Sequence, residues 1–154
     1  MDTGCYAIHC LRLLGPGLPE VTSARATLRG EQIDRVMEAD FRFPEGATGR
    51  ITASLWSHRL LSIRARVVSD RGELRVFNYV APQAYHRLKV TLGGRTHRER
   101  VRGDASYTHQ LRAFRDAVRG DAAANLTPPA DAIVTMGLVD DVYRAAGLAP
   151  RGGE

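Results

Sequence analysis

Through the middle of the chain polar and apolar residues alternate with a period of two, while both ends space their apolar residues three and four apart. Seven stretches carry the strand pattern: EVTSARATL (20–28), RVMEADFRF (35–43), GRITASLWS (49–57), LSIRARVVS (61–69), GELRVFNYV (72–80), YHRLKVTLG (85–93) and THRERVR (96–102). Turn signals separate most of them, at Pro44–Glu45–Gly46, at Asp70–Arg71–Gly72 and at Gly93–Gly94. Short turns between successive strands predict antiparallel pairing, with one face apolar and covered and the other polar.

The ends read as helices. At about 100° per residue, Ala7, Ile8, Cys10, Leu11 and Leu14 gather on one broad face of the opening segment, while Asp2, Tyr6 and His9 fall within roughly 60° of each other on the other. Asp2 suits the N-terminal end, where a carboxylate meets free backbone N–H groups, and Gly15–Pro16 stops the helix. Near the other end, Tyr107, Leu111, Phe114 and Val118 form one helical stripe behind Ser106 as N-cap, and Ile133, Met136, Val139, Val142 and Tyr143 form another after Pro128–Pro129. The expected fold is α+β in two layers: a largely antiparallel open sheet of about six or seven strands, with an N-terminal helix and two C-terminal helices packed on one face. One domain over 1–147 and a flexible tail over 148–154 complete the expectation.

Composition changes this picture little. At 154 residues, 44% hydrophobic and 25% charged, the chain is sized for one globular domain and short for a two-domain enzyme. It has neither a long apolar run nor a basic-then-apolar leader, which predicts a soluble, cytoplasmic protein with no membrane partner. The net charge of +5 would permit a nucleic-acid partner, but nearly all of the positive charge is arginine, with Lys89 the only lysine. Arg66, Arg71, Arg75, Arg95, Arg98, Arg100 and Arg102 alternate with apolar residues or flank turns, and no RNP, zinc-finger or helix-turn-helix pattern accompanies them. The expectation is an arginine-biased surface with no nucleic-acid role. Cys5 and Cys10 would point some 140° apart on a helix, poor for a disulfide or a shared metal, and are read as packing residues. His86, His97 and His109 lack ligand spacing, so no metal site is expected.

For chemistry the opening helix is the best candidate. Asp2 and Tyr6 sit one turn apart, so a carboxylate and a phenol project together in a way that can orient a sugar hydroxyl and move its proton, with His9 one further turn along. The same spacing also describes an ordinary solvent-facing helix with Asp2 as a cap. Trp56 and His58 form a second pair, able to line a carbohydrate pocket because an aromatic face packs on a sugar ring, although a lone tryptophan also serves in core packing. A dinucleotide fingerprint is missing: GPGLPE (15–20) follows a helix and lacks the third glycine and the leading strand. Walker, HExxH and GxSxG patterns are also missing.

Taken in order, several segments resemble a known family. DTGCYAIHCLRLLG, with its DxGxY core, is similar to the start of the second domain of the glucose-fructose oxidoreductase and inositol dehydrogenase (Gfo/Idh/MocA) family, in a branch with tyrosine where many members carry histidine. MEADFRFPEGATGRITASLWS, VVSDRGELRVFNY, YTHQLRAFRDAVRGD and TPPADAIVTMGLVDDVYRAAG resemble that domain's sheet and closing helices, so the likeness runs from Asp2 to about Gly147. The resemblance implies an oxidoreductase of sugars, polyols or cyclic alcohols, in which an N-terminal Rossmann domain binds NAD or NADP and supplies a catalytic lysine. The second domain then contributes substrate contacts and, through its sheet, a homo-oligomer interface. By position Asp2 becomes the acidic residue that holds substrate or orients its partner, and Tyr6 the proton donor or acceptor. His9 stands where many relatives have aspartate. Lys89 falls in a predicted strand and does not replace the missing lysine. The expected chain is therefore the substrate and oligomerisation half of such an enzyme, inactive alone and binding no cofactor by itself, with the Rossmann domain supplied in cis or in trans. A non-catalytic sheet domain for assembly or carbohydrate binding is the alternative.

Overall fold

A computed structural model describes residues 3–30, 33–54, 62–100, 102–121 and 127–150. Among the described residues three helices and seven strands follow the order α1 (Gly4–Leu14), β1 (Glu20–Leu28), β2 (Asp34–Arg42), β3 (Thr48–Ser54), β4 (Arg64–Ser69), β5 (Gly72–Phe77), β6 (Arg87–Leu92), β7 (Arg95–Glu99), α2 (Ser106–Val118) and α3 (Pro129–Ala145). The architecture is the expected α+β, with all strand pairs antiparallel and both sheets open. The seven strands divide between two sheets, β1-β2-β3 and β4-β5-β6-β7, and the chain forms two compact units. The strand pattern predicts each strand from local alternation, but where one ladder ends is a long-range matter that alternation does not encode.

The first unit comprises 3–54 and 127–150 of the described residues. Alternation along β2 sends Met37, Ala39 and Phe41 to one face, where they are buried, and the register places Ala39 opposite Ile51, and Met37 opposite Ala53, on β3. Ile8 of α1 and Leu138, Val139, Val142 and Tyr143 of α3 close over that face and complete the core. Burying each such side chain contributes roughly 1.5–3 kcal/mol. Two glycines permit this approach. A Cβ on Gly49, which faces Phe41 across the ladder, would lie 2.5 Å from Leu11 Cδ1, and one on Gly15 would lie 2.1 Å from the Phe43 ring. Gly15 ends α1 with extended backbone (φ −97°, ψ 161°), its N–H donating to Leu11 O at 3.0 Å. Its need is therefore steric, not the left-handed turn that a helix-stopping glycine usually supplies.

The second unit comprises 62–100 and 102–121. Its sheet is a meander whose β6–β7 turn uses Gly93 and Gly94 at φ +52° and +77°, as a tight hairpin turn demands. Asn78, at φ +55°, holds the β5–β6 connection: its side chain donates to the carbonyls of Ala81 and Tyr85 and accepts from the Ala81 N–H. Ala65, Val67, Leu74, Val76, Leu88 and Val90 occupy one face and are half-buried; none of the described residues of this unit is fully buried. Helix α2 begins at Ser106 with Ala105 as N-cap, and the Ser106 hydroxyl donates to Gln83 Oε1 at 3.0 Å instead of capping the helix. Its predicted stripe is real as a pattern but uncovered: Tyr107, Leu111, Phe114 and Val118 are all exposed, Tyr107 by 75%. Of the two closing helices, α3 packs on a sheet as expected, whereas α2 buries no residue.

Candidate functional site

The site forms where α1 meets α3. Ile8 anchors α1 in the core, which turns Tyr6 and His9 toward the opposite side of the helix, as the wheel predicts. Tyr6 is 54% exposed. His9 is half-buried, because Asp131 in the first turn of α3 reaches it: Nδ1 of the imidazole lies 3.3 Å from Asp131 Oδ2. Asp131 also takes Arg12, whose Nη2 lies 2.9 Å from Oδ1. The same guanidinium donates through Nη1 to the Thr135 hydroxyl at 2.6 Å and to the Asp131 carbonyl at 3.3 Å.

Local sequence explains each part. Pro129 opens α3 and puts Asp131 at the positive end of the helix dipole, while Arg12 sits in the last turn of α1 at the negative end of its own. Arg12 lies one turn beyond His9, so one carboxylate from α3 spans both. Asp131 thus sets a carboxylate beside Nδ1 of the imidazole, an arrangement of the kind that acid–base chemistry uses. Tyr6, three residues before His9, is its neighbour one turn back on the exposed side. A phenol one helical turn from an imidazole with a carboxylate beside it is able to exchange a proton with a hydroxyl-bearing ligand.

The other expected site residues, Asp2, Trp56 and His58, lie outside the described residues. Sequence reasoning missed Asp131, Arg12 and Thr135. Arg12 was one turn from His9 and in view; Asp131 is 119 residues further on, and only the packing of α3 against α1 makes it a neighbour. Neither Cys5 nor Cys10 is in a disulfide. Among the described residues no three His, Cys, Asp or Glu side chains gather as a metal site, and no helix is long and apolar enough to cross a membrane.

On the far side of the first sheet, Asp40 accepts from Arg50 through both oxygens, at 2.6 and 3.1 Å, and from the Ser23 hydroxyl at 3.0 Å. The Arg50 guanidinium, with help from Ser23, holds the Asp40 carboxyl below its usual range. These groups border a shallow depression of about 560 Å³ that also touches Arg42 and Thr48.

No family model matches the chain, and no curated protein matches it in sequence. Solved structures do match. The chain aligns with WlbA dehydrogenase from Bordetella pertussis, solved with NADH and UDP-GlcNAcA, at a TM-score of 0.63 and 16% identity over 100% of this chain and 45% of that one. Levoglucosan dehydrogenase, solved with NADH and levoglucosan, aligns at 0.68 and 18% identity over 95% of this chain and 47% of its own. The fold is that of part of a dehydrogenase chain. An NAD binding oxidoreductase from Klebsiella pneumoniae aligns at 0.51 and 15% identity, again over less than half, 42%, of its length. The shared fold agrees with the resemblance to the Gfo/Idh/MocA family, and the chain spans less than half of each of these oxidoreductases.

Proposed function

We propose that this chain is the C-terminal, substrate-binding and oligomerisation part of a Gfo/Idh/MocA-type oxidoreductase that acts on a sugar, polyol or cyclic alcohol with NAD or NADP. The observation that carries the reading is the fold match, which takes in nearly all of this chain yet under half of dehydrogenases solved with NADH and a sugar or sugar nucleotide. The described residues do not fit the cofactor: their strand pairs are all antiparallel, and no strand leads through a glycine-rich turn into a helix that would seat a pyrophosphate. In this reading NAD(P) and the catalytic lysine belong to a Rossmann domain in cis or in trans, and this chain alone is inactive.

The chain's own contribution is acid–base and positional. Tyr6 exchanges the proton of the substrate hydroxyl, Asp2 orders that hydroxyl or the tyrosine, and His9, with Nδ1 3.3 Å from Asp131, presents Nε2 to the same ligand. Trp56 and His58 add sugar contacts. The soluble protein works in the cytoplasm as a homo-oligomer built through its sheet. A chimera that joins the cofactor-binding half of levoglucosan dehydrogenase to this chain tests the reading. It is expected to reduce NAD with a sugar or polyol from a broad panel, and Tyr6→Phe to lower kcat by about 10²-fold or more. A folded chimera that binds NADH but oxidises nothing in the panel, or one that Tyr6→Phe leaves unchanged, overturns it.

A further inference from the structure

Arginines that look dispersed along the chain are brought together by the second sheet. The β4–β5 register pairs Arg66 with Arg75, the β5–β6 register pairs Arg75 with Lys89, and the β6–β7 register pairs Lys89 with Arg98. Directly paired residues share a face, so four cations form one row across four strands. At the usual strand spacing of about 4.8 Å the row is roughly 14 Å long. The next row on that face is Arg64, Phe77 and Arg87, and the row beyond the cations is Val68, Glu73, Thr91 and Thr96.

Glu73 is the one carboxylate of these three rows, set against six cations. It pairs with Arg66 and, at 2.8 Å, with Arg75. Lys89 and Arg98 have no carboxylate partner among the described residues, although like charges directly opposite each other destabilise a ladder. Two rings edge the cations. Phe77 lies under the Arg64 guanidinium, 5.6 Å from ring centroid to Cζ, and meets Tyr85 edge-on with centroids 5.8 Å apart; the Tyr85 hydroxyl accepts from Arg87 Nη2 at 3.0 Å. Beside them Arg100 and Arg102, with Tyr85 and His86, line a cleft of about 320 Å³.

We propose that this face of the second unit binds single-stranded nucleic acid, with the cation row on successive phosphates and Tyr85, at its edge, stacking on a base. Charge complementarity selects the occupant. A second copy related by a two-fold axis would bring together two faces that each carry six cations and one carboxylate, a net like-charge contact. A flexible polyanion satisfies Lys89 and Arg98 and adapts to an open, flat surface, and an exposed aromatic ring beside guanidinium groups is the usual platform for an unpaired base. The inference uses no residue of the α1 site and so stands apart from the catalytic reading; of the proposed oligomer it requires that the interface leave this face of the second sheet free.

Fluorescence anisotropy of a labelled 20-nucleotide oligouridylate, with the matching oligothymidylate as a second probe, tests it on the intact chain. Micromolar binding is expected at 50 mM KCl, weakening about 20–50-fold by 200 mM, as engagement of three or four phosphates requires. Lys89→Gln with Arg98→Gln is expected to lower affinity at least tenfold at 50 mM KCl. The same double variant relieves the like-charge row, so it is expected to melt no lower than the parent, which separates a binding role from a structural one. Arg42→Glu on the first sheet is expected to change affinity less than twofold. No saturable binding at 50 mM KCl, or binding that the double variant leaves intact, overturns the proposal. Preferential binding to phosphatidylserine vesicles, lost in the double variant, overturns it in favour of a lipid surface.

Discussion

The two sheets are built by the same rule and put it to different ends. In both, successive antiparallel strands alternate apolar and polar residues. In the first, the apolar positions hold Met37, Ala39, Phe41, Ile51 and Ala53, two helices cover them, and on the outward face Asp40 pairs with Arg50. In the second, the apolar positions hold Val, Leu and Ala residues that are only half-buried, and cations line up on the other face with one glutamate to balance them. A period of two thus specifies a sheet, while the helices that cover its apolar face and the neighbours of its charges distinguish a sheet that builds a core from one that does not.

The sharpest way to break the comparison is a cavity on each side. Phe41→Ala is expected to cost about 3–5 kcal/mol in chemical denaturation, and Val76→Ala, at a half-buried position of the second sheet, about 1 kcal/mol. Equal losses would mean that the second sheet is as well packed as the first. Next in size is Asp131→Asn, which removes the carboxylate shared by His9 and Arg12. Their side chains remain partly accessible, so about 1–2 kcal/mol is expected, with the lost carboxylate beside His9 seen as a change in its imidazole nitrogen shifts by NMR. An unchanged His9 signal would show that Asp131 does not orient the ring.

The smallest effect is acid sensitivity. Arg50 and Ser23 lower the Asp40 pKa from 3.8, and Arg75 and Arg66 lower that of Glu73 from 4.5. A carboxylate with a depressed folded-state pKa binds its proton more readily when unfolded. Its contribution is complete above the ordinary value and disappears as the pH falls through the lowered one. Both sheets should therefore lose a little stability below about pH 4.5, the second starting at the higher pH, and Glu73→Gln should remove its share. Hydrogen exchange resolved by strand, measured between pH 3 and 6, checks the order.

Much of this was legible in the residues. β1 runs over the very stretch, 20–28, that alternation marks, and the other strands and the helices fall close to their predicted places. The exposure of Tyr6 opposite a buried Ile8 follows from the helical period alone. The site's anchor was not legible, because Asp131 acts on His9 and Arg12 across more than a hundred residues of chain. Gly15 reads as a helix stop by type, but its steric role depends on Phe43, which arrives from the end of β2.

By itself, then, the sequence determined what depends on near neighbours: where helices and strands form, which of their faces are apolar, and that Tyr6 and His9 share the outer side of one helix. These follow from backbone periods of 3.6 and 2, felt within a few residues. Tertiary structure decided what depends on register and packing: that seven strands make two ladders, that one carboxylate on α3 meets both His9 and Arg12, and that Arg66, Arg75, Lys89 and Arg98 stand in one row. A ladder shifted by one residue would turn a strand's cations to the opposite face, so their gathering is a property of the pairing and not of the arginine count.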